Sequence, residues 1–167
     1  ASNNTAIGYH SLLSNTTGIF NVAVGSGALD ANTTANNNTA VGTNSLSACT
    51  TGTQNTALGS YALNASTTAN NNTAVGYSAL IVNTTGVSNI AVGAAALQNN
   101  TTANDNVAMG YAALYDNTTG ASNTAIGGNA LENNTTASNN TAVGKSALLA
   151  NTTGTKNTAL GSNTLVA

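Results

Sequence analysis

Charge is almost absent from this chain. Only 4% of its 167 residues are Asp, Glu, Lys or Arg, none is Arg, and the formal net charge is −2. A nucleic-acid partner would have no basic footprint to follow, and a polybasic membrane tether is excluded for the same reason. Proline and tryptophan are missing too, and aromatics amount to 4%. One histidine and one cysteine leave too little for a metal cage or an internal disulfide framework. Two lysines, four acids and one histidine cannot supply an acid–base pair, a metal site and an oxyanion clamp together. The expectation is therefore a protein that is not an enzyme and takes no cofactor. No run approaches the ~18 apolar residues that span a bilayer, so membrane insertion is not expected. The opening residues do not read as a signal peptide.

What is present is Asn, Thr, Ala and Gly, together about two thirds of the chain. Hydrophobic residues reach 41%, but about half of these are Ala. Ala buries too little surface to offset the entropy of ordering an ordinary globular core. Disorder is the obvious rival. It normally comes with Pro, Lys, Glu and high net charge, whereas here these are scarce and Val, Ile and Leu recur at fixed places.

The recurrence is strict. Glycines at 8, 25, 42, 59, 76, 93, 110, 127, 144 and 161 follow one another with a 17-residue period, without insertion or deletion. Each closes one phrase, as in Asn38-Thr39-Ala40-Val41-Gly42. The Asn four before the glycine, the Ala two before it and the Leu four after it do not change in ten copies. A Thr-Thr pair, from Thr16-Thr17 to Thr152-Thr153, is equally fixed. A longer period lies over this one. The residue after Thr-Thr alternates between Gly18, Gly52, Gly86 and Ala35, Ala69, Ala103. Five after the glycine, Leu13, Ser47, Ile81, Tyr115 and Leu149 alternate with Asp30, Asn64, Gln98 and Glu132. The full unit is thus a 34-residue pair of similar halves.

A period this short and regular predicts a solenoid, in which like residues stack in rows. Helical repeats carry more Leu, Lys and Glu, and Asn-Thr-Thr-Gly is poor in helix propensity. The reading is all-β: a parallel β-solenoid, roll or helix, of ten 17-residue repeats paired into 34-residue units. Its strands are expected over Asn-Thr-Ala-Val and over Thr-Thr, with Ala-Leu as a third wall or corner. Residues 1–167 read as one repeat domain and as a segment of a longer fibre. Two coil lengths remain open. Ten 17-residue coils would stack to ~48 Å, and five 34-residue coils to about half of that. The alternating columns favour the longer coil, because each row would then be uniform. One side would be apolar through Leu13, Ile81, Tyr115 and Leu149, a candidate self-association side, with the acids and amides opposite.

Alternation along a strand puts the fixed Ala on one face and the aliphatic before the glycine, Ile7 through Leu160, on the other. That second apolar row is either a second interior layer or a subunit contact, and it suits a partner interface. The fixed column Asn4, Asn21, Asn38, Asn55, Asn72, Asn89, Asn106, Asn123, Asn140 and Asn157 reads as an amide ladder, each side chain bonding its neighbours one coil away. The Thr-Thr column would place one hydroxyl in and one out. His10 has no second histidine or nearby acid, so neither catalysis nor zinc is expected there. Cys49 replaces an Asn of the Asn-Thr-Thr triplet. The acids Asp30, Asp105, Asp116 and Glu132 do not recur as a calcium loop would. Triplets such as 15–17, 32–34 and 117–119 match the glycosylation sequon, but the repeat alone accounts for their number. Tyr9, Tyr77, Tyr111 and Tyr115 lie in odd-numbered copies and suit interface packing.

At Asn72-Thr73-Ala74-Val75-Gly76-Tyr77-Ser78-Ala79-Leu80, followed by Asn83-Thr84-Thr85-Gly86, the chain resembles repeats of phage and virus tail-fibre proteins and of bacterial surface proteins. It is also similar to the YadA-like head repeats of trimeric autotransporter adhesins. The resemblance runs the whole length, although a 17-residue copy replaces the shorter adhesin unit and the 34-residue alternation is foreign to it. It implies a parallel β-roll or β-helix, often trimeric, displayed outside a cell or virion for attachment. The expectations are then an extracellular fibre or adhesin shaft, a homotrimer or filament, meeting a cell-surface receptor or glycan. The competing expectation is an ice- or carbohydrate-binding solenoid using outward Thr and Asn rows.

Overall fold

A computed structural model describes residues 1–166. It contains ten three-residue strands, from β1 (Thr5–Ile7) and β2 (Val22–Val24) to β9 (Thr141–Val143) and β10 (Thr158–Leu160). They form one parallel sheet in sequence order. Each strand pairs with the same segment of the next copy, as in Ala6 with Ala23 and Ala23 with Ala40. The protein is a parallel β-solenoid, and one 17-residue copy makes one coil. We number the coils 1 to 10 by their glycines, Gly8 to Gly161.

The strand is short because only its three residues keep the alternation that a half-buried strand needs. Its central Ala faces inward and has no exposed surface from Ala23 to Ala142. Its flanking Thr, Val or Ile and its second aliphatic face outward, and β-branched residues suit such a pleated surface. The glycine that follows holds φ between 121° and 136°, a region closed to residues with a Cβ. At Gly8 a Cβ would also stand 2.7 Å from the carbonyl carbon of Gly25, so the coils touch backbone to backbone there.

Beyond the glycine the chain does not stay extended, and of the wall or corner expected over Ala-Leu it makes the corner. The second residue after the glycine and the fixed Leu both take left-handed φ, 56° and 52° in His10 and Leu12. A left-handed Leu costs roughly 1–2 kcal/mol. Burying the whole side chain returns about 1.5–3 kcal/mol, and Leu29 through Leu131 have no exposed surface, so the corner is held by its core contact. The Thr-Thr segment is not a strand either. The N–H groups of Thr16, Thr17 and Gly18 all donate to the carbonyl of Thr33, at 3.0, 3.1 and 3.4 Å, and such convergence bends the chain.

The 34-residue alternation is therefore not the coil. It is a pairing of neighbouring coils at one corner. In odd coils the N–H after the Gly donates to a side chain in the next, even coil: Ile19 to Asn36 Oδ1, Thr53 to Asn70 Oδ1 and Val87 to Asn104 Oδ1, each at 2.7 Å. Ala121 donates in the same way to Ser138 Oγ at 3.0 Å. The odd coil must also carry Gly there, because a Cβ on Gly18, Gly52, Gly86 or Gly120 would collide with the carbonyl oxygen of Ala35, Ala69, Ala103 or Ala137. One consequence concerns the expected apolar side. Leu13, Ile81, Tyr115 and Leu149 share a single row with Asp30, Asn64, Gln98 and Glu132 and alternate with them. Gln98 Nε2 even donates to Tyr115 Oη at 3.1 Å. These four residues do not make a separate apolar side.

Candidate functional site

The interior is occupied by two amide ladders. In the first, each Asn of the column from Asn4 to Asn140 accepts at Oδ1 the backbone N–H of the next one, as Asn89 N–H to Asn72 Oδ1 at 2.9 Å. Its Nδ2 donates to a carbonyl near the following corner, as Asn72 to Gly86 at 2.9 Å. Asn21 through Asn140 are buried at 0–1% exposure, so their polar groups must be satisfied internally, and the row does this coil after coil.

The second ladder uses the Asn that opens Asn-Thr-Thr, and the sequence reading missed it. Asn100 donates to Asn83 Oδ1, Asn117 to Asn100 and Asn134 to Asn117, at 2.9, 3.0 and 2.9 Å. Each also donates to the carbonyl three residues on, so that Gly120 O receives both Asn106 and Asn117 at 2.9 Å. The two ladders are thereby tied through one carbonyl in each coil that carries both asparagines. The available signal was the near-constancy of Asn before Thr-Thr in a chain with so few other polar types.

This second ladder has a gap. Coils 3 and 4 carry Cys49 and Ser66 in place of Asn. Asn32 Oδ1 and Ser66 Oγ are both buried with no hydrogen-bond partner. The Cys49 thiol reaches only the carbonyl of Gly52, at 3.3 Å. Burial pushes its pKa up from 9.0 to about 11, the hydrogen bond with Gly52 opposing that shift, so the thiol stays protonated and inert near neutrality.

Nothing inside gathers catalytic groups. Among the described residues, no three of His, Cys, Asp and Glu come together as a metal set, and no concave pocket is present. His10 is exposed and stacks on Tyr9 with ring centres 3.7 Å apart. Among the described residues, no helix is long and apolar enough to cross a membrane.

The outside is more distinctive. On the outer face of the sheet, the row before the glycines is aliphatic in all ten coils, with Leu58 46% and Met109 43% exposed. The row two residues earlier mixes Thr with Val22, Ile90 and Val107. Neither row contains a charge. Beside them, just past the glycines, stand Tyr9, Tyr77 and Tyr111, 62–73% exposed. On another part of the coil the two threonines divide roles. Thr16 donates its hydroxyl to Thr33 O at 2.9 Å, and Thr84 to Thr101 O at 3.1 Å, a ladder of its own. The second threonine, from Thr17 to Thr153, is exposed in all nine copies.

The fold and these rows define a parallel β-solenoid repeat protein whose distinctive surfaces run along the rod. No family model, curated protein or solved structure matches the chain.

Proposed function

We propose that the protein is a non-enzymatic structural solenoid, a shaft of an extracellular fibre or adhesin, that associates with itself through the outer face of its sheet. One observation carries this reading: an uncharged aliphatic row runs unbroken over ten coils beside a second row of Thr, Val and Ile, with Ile7, Leu58, Met109, Ile126 and Leu160 exposed and the five valines between them half-buried. Contiguous apolar surface of this extent is kept by soluble proteins as an interaction site. The low charge, the backbone ladders and the resemblance to tail-fibre and YadA-like repeats favour the same role, at a cell surface or on a virion. A pair, a homotrimer or a filament would each bury the row, and a receptor or glycan would then be met elsewhere on the shaft.

Sedimentation over a range of concentrations tests the proposal, with Leu58→Lys/Met109→Lys as the control. The parent chain is expected to associate and the double variant to stay monomeric with an unchanged circular dichroism spectrum. A parent that is monomeric throughout would overturn the reading.

A second reading has its own support. The row from Thr17 to Thr153 keeps Thr in every coil, although it is exposed and, among the described residues, its hydroxyls bond to nothing in the chain. Neighbouring exposed positions vary freely, as Phe20, Asn37, Gln54 and Ser88 show. A regular row of hydroxyl and methyl groups about 4.8 Å apart suits a repeating ligand, either ice or an ordered polysaccharide. Thermal hysteresis, or binding to an insoluble glycan, that is lost on replacing Thr68, Thr85 and Thr102 by Tyr would support it. Neither activity in the parent chain would exclude it.

A further inference from the structure

The outer sheet face also indicates how two copies would meet, an inference that rests on self-association as proposed above. We infer that the partner is a second copy running antiparallel, related by a two-fold axis perpendicular to the rod, with odd coils facing even ones.

The first argument is periodic. Side chains on this face repeat once per coil over ten coils, about 4.8 Å apart, and another solenoid of the same rise can match that spacing along its whole length. Ten strands span about 43 Å, and three rows about 14 Å, so a face-to-face pair would bury on the order of 1,200 Å² in total. That is the lower edge of what specific interfaces use.

The second argument is chemical. A two-fold axis parallel to the rod would lay the aliphatic row of one copy on the Thr-containing row of the other. An axis perpendicular to it lays each row on its own counterpart, aliphatic on aliphatic and Thr on Thr. Like-on-like pairing keeps the aliphatic row from burying Thr hydroxyls against surface that offers them no hydrogen-bond partner.

The third argument is steric and comes from the 34-residue alternation. Just past the glycines, the large residues Tyr9, Tyr77, Tyr111 and Lys145 all fall on odd coils, while even coils carry nothing larger than Ser there. In an antiparallel pair whose facing coil numbers sum to an odd number, every large residue meets a small one. With all ten coils overlapped, Tyr77 faces Ala94, Tyr111 faces Ser60, and Leu58 faces Met109 of the second copy. A same-parity register would set Tyr against Tyr across the interface.

Single cysteines in a Cys49→Asn background, linked by a short bis-maleimide, test the geometry. An equal mixture of Leu58→Cys and Met109→Cys chains is expected to give a cross-linked dimer, and each variant alone to give almost none. Ala94→Tyr should weaken association about tenfold, and adding Tyr77→Ala should restore it. Cross-linking of each variant with itself, or a three-fold assembly in sedimentation, would overturn the antiparallel pair while leaving self-association standing. A chain monomeric at all concentrations would instead remove the underlying proposal.

Discussion

Repairing the gap in the second amide ladder should stabilise the rod, and the gain can be worked out bond by bond. Asn32 Oδ1 and Ser66 Oγ are buried and unpaired because Cys49 and Ser66 stand where other coils carry Asn. In Cys49→Asn/Ser66→Asn, the new residue 49 amide would donate to Asn32 Oδ1 and the residue 66 amide to residue 49. Asn83, which at present donates only to Gly86 O at 3.0 Å, would also donate to residue 66. Three bonds at about 1 kcal/mol each give a gain of about 3 kcal/mol. Overpacking is not expected, since the flanking coils hold Asn in the same place with the same backbone path. For a chain of this size the gain corresponds to a rise in Tm of roughly 6–12 °C. Each single variant should deliver less than half, because Asn at one position alone leaves a new oxygen or amide without its partner. The double-mutant cycle should therefore show favourable coupling. Thermal melting followed by circular dichroism reads all four proteins. A double variant that melts at or below the parent temperature, or strictly additive singles, would refute the ladder argument.

Other consequences follow from the same contacts. Asn72→Ala should cost about 2–4 kcal/mol, because it strands the buried N–H of Asn89 and empties an amide-sized space; urea denaturation reads it, and a loss under about 1 kcal/mol would contradict the first ladder. Removing one copy, residues 52–68, sets two even corners side by side and strips Asn70 Oδ1 of its Thr53 donor, so it should cost about 1–3 kcal/mol beyond half of what removing two, residues 52–85, costs; thermal melting of the two deletions checks the comparison. The Cys49 pKa is raised in the fold, so its contribution is fully present below about pH 9 and lost as pH rises toward about 11. Cys49→Ser should remove that part of the alkaline decline in stability, and a thiol reagent at about pH 8 should label the parent only after unfolding.

The parts of this fold legible in the sequence were those where one residue type is demanded in every coil. The glycine with its positive φ, the inward Ala and the first Asn column each follow from a contact with the identical residue one coil away. Coil length was harder to read, because the alternation of Gly18 with Ala35 and of Ile19 with Asn36 describes how a coil fits its neighbour, which looks the same in sequence as a coil twice as long. The left-handed Leu was hidden for another reason. Local preference opposes that conformation, and only burial among neighbouring coils offsets it. The second ladder lay under a sequon-like triplet, and its two exceptions, Cys49 and Ser66, obscured the row. The outward apolar row before the glycines was visible from strand alternation alone, whereas the row of Leu13, Ile81, Tyr115 and Leu149 depended on the coil length and was divided by it.

The most direct test of the account is electron cryo-microscopy of the purified chain at associating concentration. Ten layers about 4.8 Å apart per copy, each a single 17-residue coil, with copies paired through the face that carries Ile7 to Leu160, are the predicted result. A 34-residue layer would contradict the fold, and single rods with that face bare to solvent would contradict the function.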